Sequence, residues 1–416
     1  MTLSCQKHLF SLAPGVHYLN GAAYSPSLRV AVEKGMEGLR LKAETPFLIS
    51  PQHHFDTADR VRRLFSDLVG AGDPERIALI PAVSYGMAVV AQNLHRLPGI
   101  SAKNRIVLIG EEFPNNVYAF ERVSAVLGLA VHTVDKPASF ENRGAKWNDR
   151  LLEAITAETA LVVASPVHWI YGTLFDMEAI GRRCREMGAL LAIDATQSVG
   201  ARPFDVQAVR PDALICAAYK WLLGPYGTGA AYFGPFFDDG VPVEESWMNR
   251  MESDQFARLT RYERAYRPKA QRYNAGEFSQ FIQLPMLEAS LSQLHAWDTA
   301  QIVGGGARGH DKIHPFDVKA LKADHPVMKD IPASFTVEDE LYYVNAEGTP
   351  EGTAAIEVLA ETSNSDKYQK PHPSVWITKH PKAKIVGLAL GHDARVHDLK
   401  PYQQLLINAA KWTSGK

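Results

Sequence analysis

The chain has 416 residues, 46% of them hydrophobic and 22% charged, so it holds enough apolar material for more than one domain. A formal net charge of only −2 gives no bulk electrostatic reason to expect a nucleic-acid or membrane partner. No apolar run reaches membrane-spanning length, MTLSCQKHLFSLAPG lacks the apolar core of a signal peptide, and the scattered Cys5, Cys184 and Cys216 form neither a disulfide framework nor a metal pattern; a reducing, cytoplasmic setting is the expectation.

In HYLNGAAYSPSLRVAVEKGMEGL, small and turn-forming residues around Asn20-Gly21-Ala22-Ala23 lead into a helical pattern. FDTADRVRRLFSDLVGA spaces its apolar residues as a helix does, with Asp56 or Thr57 as the cap. IALIPAVSYGMAVVAQNL reads as strand, small-residue loop and helix. The helix start at Val83 and Ser84 offers free N–H groups and a positive dipole end, a natural phosphate site, although such units abound in α/β chains. RIVLIGEEFPNNVYAFERV and LAVHTVDK continue the alternation of a mostly parallel sheet, with Pro114-Asn115-Asn116 capping the helix after the first strand. ALVVASPVHWIYGTLFDMEAIGRRCREMGALLAIDATQ is a βαβ unit. It leaves His168 and Trp169 just past a strand end, where ligands collect in open α/β sheets; the plain alternative is a loop histidine and a packed tryptophan.

Two short apolar runs follow, LLAIDATQ ending in an acid and ALICAAYKWLLGP ending in a lysine, and both read as buried strands with loops at their carboxyl ends. Asp194 capping a helix and Lys220 lying solvated on the surface would be the ordinary case. Lysine is rarely buried without a partner, yet Lys220 sits among Ile215, Ala217, Ala218, Trp221 and Leu222. Desolvation there lowers its pKa, as a Schiff-base lysine requires. An acid at one strand end and a lysine at the next is what pyridoxal phosphate chemistry needs. The lysine amine condenses with the aldehyde, and the acid keeps the pyridine nitrogen protonated.

The motifs DATQSVG and YKWLLGPYGTG resemble the class V aminotransferase family of fold-type I pyridoxal-phosphate enzymes, which includes kynureninases, isopenicillin N epimerase-like proteins and cysteine desulfurases. The resemblance runs over residues 1 to about 302. It implies an α/β large domain with a mostly parallel sheet and pyridoxal 5'-phosphate as cofactor. It implies Lys220 as the Schiff-base lysine, Asp194 on the pyridine nitrogen, Gln197 on the ring hydroxyl and Tyr219 beside the cofactor. Val83 and Ser84 would meet the phosphate, and the loop at Asn20 would lie beside the substrate. The family usually sets an Asn or His against the cofactor where this chain has Pro166, so His168 takes that role or Trp169 stacks on the ring. RYNAGEFS resembles the element that crosses into the neighbouring subunit of a homodimer to hold the phosphate. Where relatives often carry threonine, this chain has Glu277, which would repel a phosphate; either it points away, leaving Ser279 or a backbone amide, or the element has another role. Arg272 is the candidate partner for a carboxylate or phosphate, against a surface ion pair. LPMLEASLSQLHAWDTAQI reads as a long amphipathic helix.

Past Ile302 the sequence changes character. Gly304-Gly305-Gly306 with Gly309-His310, then His325-Pro326, Asp339-Glu340-Leu341-Tyr342, Leu390-Gly391-His392-Asp393 and Trp412 resemble the trehalose-utilisation (ThuA-like) family. That implies a partial flavodoxin-like, class I glutamine amidotransferase-like α/β tail over 303–416, without the strands that begin such a sheet. Three stretches have strand character, HPFDVKAL, AAIEVLAE and AKIVGLALG. PYQQLLINAAKW reads as a closing helix with Leu405, Leu406, Ala409 and Trp412 near one face. The tail either packs on the large domain as a surrogate small domain or is poorly ordered.

The leading expectation is therefore an enzyme acting on an amino acid as transaminase, epimerase or lyase. A cysteine desulfurase fits less well, because that reaction needs a mobile cysteine late in the chain and none follows Cys216. Arg308 and Arg395, the tail's arginines, match no substrate-carboxylate pattern, so impaired turnover is expected. The alternative is a non-catalytic or carbohydrate-related binding protein in which His310, His392 and Asp393 of the tail form a sugar or metal site; the residues read equally well as structural, and no metal is expected.

Overall fold

The structure is a computed structural model that describes residues 6–14, 16, 18–139, 141–297, 306–311, 313–345, 356–365, 369–378, 384–391 and 394–414. The chain divides into two compact units, one formed by Leu9–Pro137 with Gly144–Ala296, the other by Met1–His8, Ala138–Arg143 and Trp297–Lys416.

The larger unit is built on a seven-stranded sheet of β1 (Ile77–Ile80), β2 (Arg105–Ile109), β3 (Ala130–Val134), β4 (Thr159–Ala164), β5 (Leu190–Asp194), β6 (Ala213–Ala217) and β7 (Gly229–Phe233) in the order β1-β7-β6-β5-β4-β2-β3. Strands β2 to β6 pair in parallel, and β7 is antiparallel to both β6 and β1, so β1 points the same way as the parallel set. IALI, TALVVA, LLAID and ALICA are buried along their whole length, as continuous apolar runs are when a sheet is covered on both faces. The expected mostly parallel α/β sheet is therefore present.

The helices follow from spacing. In α1 (Arg29–Glu44) only the small Ala31, Gly35 and Gly38 are buried, whereas Val30, Val32, Met36 and Leu39 are exposed. In α2 (Pro51–Leu68) Phe55, Ala58, Val61, Arg62 and Phe65 form the inward stripe. The cap of α2 lies earlier than Asp56 or Thr57: Ser50 precedes Pro51, and its N–H donates to His53 Nδ1 at 3.1 Å. Proline at the first helical position and a serine before it are the stronger start signal. α3 (Val83–Asn93) follows β1, and α4 (Tyr118–Leu127) follows β2 through a 3-10 turn at Pro114–Asn116. That turn precedes α4 and does not cap it. α5 (Arg143–Ala154), α6 (Met177–Met187) and α7 (Val206–Val209) come next, α6 stopping at Gly188 with φ 62°. The expected long helix is α8 (Gln283–Trp297), with Leu284, Leu287, Leu291 and Leu294 buried.

The smaller unit carries β8 (Gly306–His310), β9 (His314–Ala320), β10 (Ser334–Asp339), β11 (Tyr342–Asn345), β12 (Ile356–Thr362), β13 (Pro373–Thr378) and β14 (Ile385–Leu388). Five of these form a sheet in the order β10-β9-β12-β13-β14, and β11 pairs with β8; every pairing is antiparallel. Two helices close it, α9 (Ala394–His397) and α10 (Lys400–Ser414). The three expected strands are β9, β12 and β14. The inward face of α10 is Tyr402, Leu405 and Asn408 with Ala409 and Trp412 partly buried; Leu406 is 41% exposed. Asn408 Nδ2 donates to the Val327 and Lys329 carbonyls at 3.1 and 2.7 Å, which is why a polar residue sits on the face where apolar ones are expected.

Helix α3 lies tight against the sheet because Gly86 has no side chain: a Cβ there would come within 2.8 Å of Ile215 Cγ2, and Ile215 is fully buried. Gly86→Val is expected to destabilise the unit by ~1–3 kcal/mol. Adding Ile215→Ala should return part of that loss in a double-mutant cycle read by chemical denaturation. Additive effects would show that the two positions do not press on each other.

Candidate active site

Because β1, β2, β4, β5 and β6 share a direction, their carboxyl ends open onto one edge of the sheet. A cleft lies there, lined by Val83 after β1, Glu112 and Phe113 after β2, Ser165 and Trp169 after β4, Asp194 and Gln197 at β5, and Tyr219 and Lys220 after β6. Register places Asp194 level with Ile215 on the adjacent strand, so the acid and the lysine come from neighbouring strand ends.

Asp194 is 7% exposed and its carboxylate is held on both oxygens. Thr196 N–H donates to Oδ1 at 3.0 Å and Asn116 Nδ2 to Oδ2 at 2.9 Å. Lys220 is 9% exposed, and no ion pair links it to another described residue. Burial lowers its pKa, and Asp194 is near enough for its charge to pull the other way without winning. Lys220 Nζ stands 5.7 Å from the Phe113 ring centroid. Tyr219 packs against Tyr226, 4.7 Å between centroids, and Tyr24, 5.5 Å.

Gln197 bridges two elements, donating to the Ala22 carbonyl at 3.0 Å and accepting from Trp221 Nε1 at 3.1 Å. Trp169 stands edge-on to Phe113 at 5.3 Å, anchored by Nε1 on the Glu111 carbonyl at 2.8 Å. Glu111 itself has φ 54°, and its carboxylate takes Lys136 and the Tyr171 hydroxyl. Val83 opens α3 and lines the cleft. Ser84, the next residue, is exposed and does not.

Three further expected residues, besides Ser84, also lie outside the cleft lining. His168 is 1% exposed, with Nε2 on the Gly110 carbonyl at 3.1 Å and Nδ1 accepting the Ile170 N–H at 3.2 Å, and it packs on Trp147. Both ring nitrogens are committed to backbone, and burial lowers its pKa, so it props the loop and does not line the cleft. Asn20 is exposed, its carbonyl accepting the Ala23 N–H, outside the cleft lining. Arg272 donates to the Gly240 carbonyl at 3.2 Å and stacks on Tyr266 at 5.3 Å, away from the cleft lining. Its contacts are with a carbonyl and a ring, so the surface ion pair is not its setting either. In RYNAGEFS, Glu277 is exposed with φ 56°, Ser279 Oγ meets His54 Nδ1 at 3.0 Å, and the Gly276 N–H donates to Glu244.

In the smaller unit, His392 and Asp393 lie outside the described residues, as do the side chains of His310 and Arg308. Arg395 pairs with Glu338 at 2.6 Å. Among the described residues no group of three side chains could hold a metal ion. No described helix is long and apolar enough to cross a membrane.

Sequence reasoning misses Glu112, Phe113 and Asn116. The rule that singles out His168 and Trp169 applies equally to residues directly after β2. Asn116 reads as a cap for α4 in the sequence, whereas its side chain is buried against Asp194.

Comparison with known proteins bears on the family and the fold. Relatives include an uncharacterised aminotransferase, YcbU, of Bacillus subtilis, 28% identical over 56% of this chain and 58% of its own length. Another is a kynureninase of Pseudomonas fluorescens, 28% identical over 63% and 62%. The chain thus spans about three fifths of these relatives. The fold is shared with a C-DES mutant solved with glycine covalently linked to its PLP cofactor (TM-score 0.60, 20% identity, 72% of this chain and 76% of that one). It is shared too with the Escherichia coli cysteine desulfurase CsdA (TM-score 0.58, 19% identity, 72% and 73%). The family model for trehalose utilisation matches residues 287–413. The aminotransferase class-V model matches residues 17–302, more than two thirds of the chain, and the chain belongs to that family.

Proposed function

We propose that this chain is a pyridoxal-phosphate enzyme acting on an amino acid, as transaminase, epimerase or lyase, with 1–302 as the cofactor domain and 303–416 as a ThuA-like unit. The observation that carries the reading is the buried Asp194 and buried Lys220 facing one cleft from adjacent strand ends. The donor set fits the cofactor's three chemical ends. Asp194 is fixed on both oxygens and would present negative charge to a protonated ring nitrogen. The start of α3 at Val83 and Ser84 brings N–H groups that have no intrahelical acceptor toward a phosphate. Lys220, its amine biased toward the neutral form by desolvation, would hold the cofactor through its aldehyde and could hold or move a proton at the substrate.

When bound, pyridoxal phosphate supplies an aldehyde that condenses with amines and a protonated ring that draws electrons from the substrate carbon. The protein's share is orientation and charge. Phe113, Trp169 and Tyr219 wall the cleft around the lysine, and Gln197, held between the Ala22 carbonyl and Trp221, would lie beside the ring hydroxyl when the cofactor is bound. Cys184 and Cys216 are buried and burial pushes both thiols up, so neither is the reactive thiolate a desulfurase uses.

A homodimer belongs to the same reading, supported by the exposed Val30, Val32, Met36 and Leu39 on α1 with Phe47 and Leu48 just beyond. Sedimentation equilibrium should return twice the 45.9 kDa chain mass, and tight cofactor binding by a monomer would contradict it.

Borohydride reduction of the cofactor-loaded protein followed by peptide mapping is expected to find the pyridoxyl group on Lys220; a label elsewhere, or none, removes the enzyme reading. Asp194→Ala should cost kcat on the order of a hundredfold, well beyond its effect on cofactor affinity, and parent-like turnover would overturn Asp194's role.

A further inference from the structure

A second carboxyl stands in the same cleft with no part in the chemistry above. Glu112 is 6% exposed and lines the cleft beside Asp194. Its neighbour Glu111, in a left-handed conformation that non-glycine residues rarely take, turns the chain at the end of β2 so that Glu112 and Phe113 enter the cleft together. Glu112 Oε1 accepts the Phe113 N–H at 2.9 Å and Oε2 accepts the Ser165 hydroxyl at 3.0 Å. Asn116 donates to Asp194 at 2.9 Å and lies near enough to Glu112 to act on its proton, so one amide stands beside both carboxyls. Asn116 Oδ1 is buried without a partner among the described residues. The cluster therefore has buried acceptors to spare and is short of a donor.

We propose that Glu112 is a proton-holding positioning residue: its neutral carboxyl supplies the missing O–H, fixes Asn116, and through Asn116 aims Asp194 at the cofactor. This rests on the pyridoxal-phosphate reading for its consequence but not for its proton. Burial pushes the Glu112 carboxyl up to about 7, with the Asp194 charge adding to it and the Phe113, Ser165 and Asn116 hydrogen bonds opposing it. The other ionisable groups of the same cleft are Asp194 at the end of β5, Lys220 and Tyr219 after β6 and Tyr226 across it, with the Glu111–Lys136 pair beside Glu112 in the chain. Among the described residues, no cation forms an ion pair with Glu112 to hold it ionised.

The test is the melting temperature of the full chain without cofactor, parent against Glu112→Gln, from about pH 4.5 to about pH 8.5. Because the folded carboxyl keeps its proton to higher pH than the unfolded one, the parent loses stability as pH rises from the ordinary glutamate value toward 7, and a glutamine does not. The melting temperature of Glu112→Gln should therefore gain on the parent by ~3 °C or more across that window. Cofactor affinity is the second readout: Glu112→Gln, which mimics the neutral acid, should stay near the parent, while Glu112→Ala loses about tenfold or more. A melting gap that is constant with pH, or a glutamine as damaging as the alanine, overturns the proposal. If Glu112→Ala does not fold, Ser165→Ala decides: losing a donor to the ionised carboxyl should move the parent's stability loss to higher pH, and an unmoved curve refutes it. The melting arm needs no cofactor, so its failure is distinct from a failure to label Lys220.

Discussion

Burying a lysine and an aspartate at neighbouring strand ends is costly, and much of the larger unit is arranged so that it can be borne. An isolated ionised group in an apolar interior loses several kcal/mol of hydration, which is why such groups are paired, hydrogen-bonded or neutral. Asp194 takes the second route, with both oxygens occupied by Thr196 and Asn116. Lys220 is pushed toward the third, since desolvation outweighs the pull of Asp194 and lowers its pKa. The sheet supplies the geometry for both. Parallel pairing brings the carboxyl ends of β4, β5 and β6 to one edge, and the antiparallel β7 lies between β6 and β1. Close packing of α3 on Ile215 then fixes where that helix begins, beside the same edge.

How much of this is legible in the sequence depends on what kind of signal each residue leaves. Asp194 and Lys220 are legible because each ends an unbroken apolar run, and an ionisable residue is rare at such a place unless chemistry calls for it. The carboxyl edge of the sheet is legible for the same reason. Glu112 and Asn116 are not, because they lie in a short polar loop where every residue looks solvated. Only the three-dimensional return of that loop over β5 buries them. His168 and Trp169 show the opposite failure. They are adjacent in sequence just past a strand end, yet one ring turns into the protein against Trp147 and the other toward the cleft. Alternation of side-chain direction along an irregular loop carries no pattern that sequence can reveal. In the smaller unit, apolar alternation marks β9, β12 and β14, but β10 (SFTVED) and β13 (PSVWIT) escape notice because polar residues and a proline interrupt them.

The RYNAGEFS loop shows how hydrogen-bond supply narrows the choice of a phosphate site. Asn274 and Ala275 zip the loop onto β1, through the Leu79 N–H on Asn274 Oδ1 at 2.8 Å and the Ala275 N–H on the Leu79 carbonyl at 3.0 Å. Its next donor, the Gly276 N–H, goes to Glu244, which also takes the Tyr85 hydroxyl at 3.0 Å. Ser279 is taken by His54. The Gly276 N–H and the Ser279 hydroxyl are thus already engaged within the same unit, and the Glu244 carboxylate stands in front of the first. An incoming phosphate would have to displace Glu244 and overcome its charge, whereas the first N–H groups of α3 need only exchange water. One strand governs both outcomes: β1 holds the loop along its length and delivers α3 from its carboxyl end. The proposed phosphate site at the helix start by Val83 rests on this contrast, since its first N–H groups have no intrahelical acceptor.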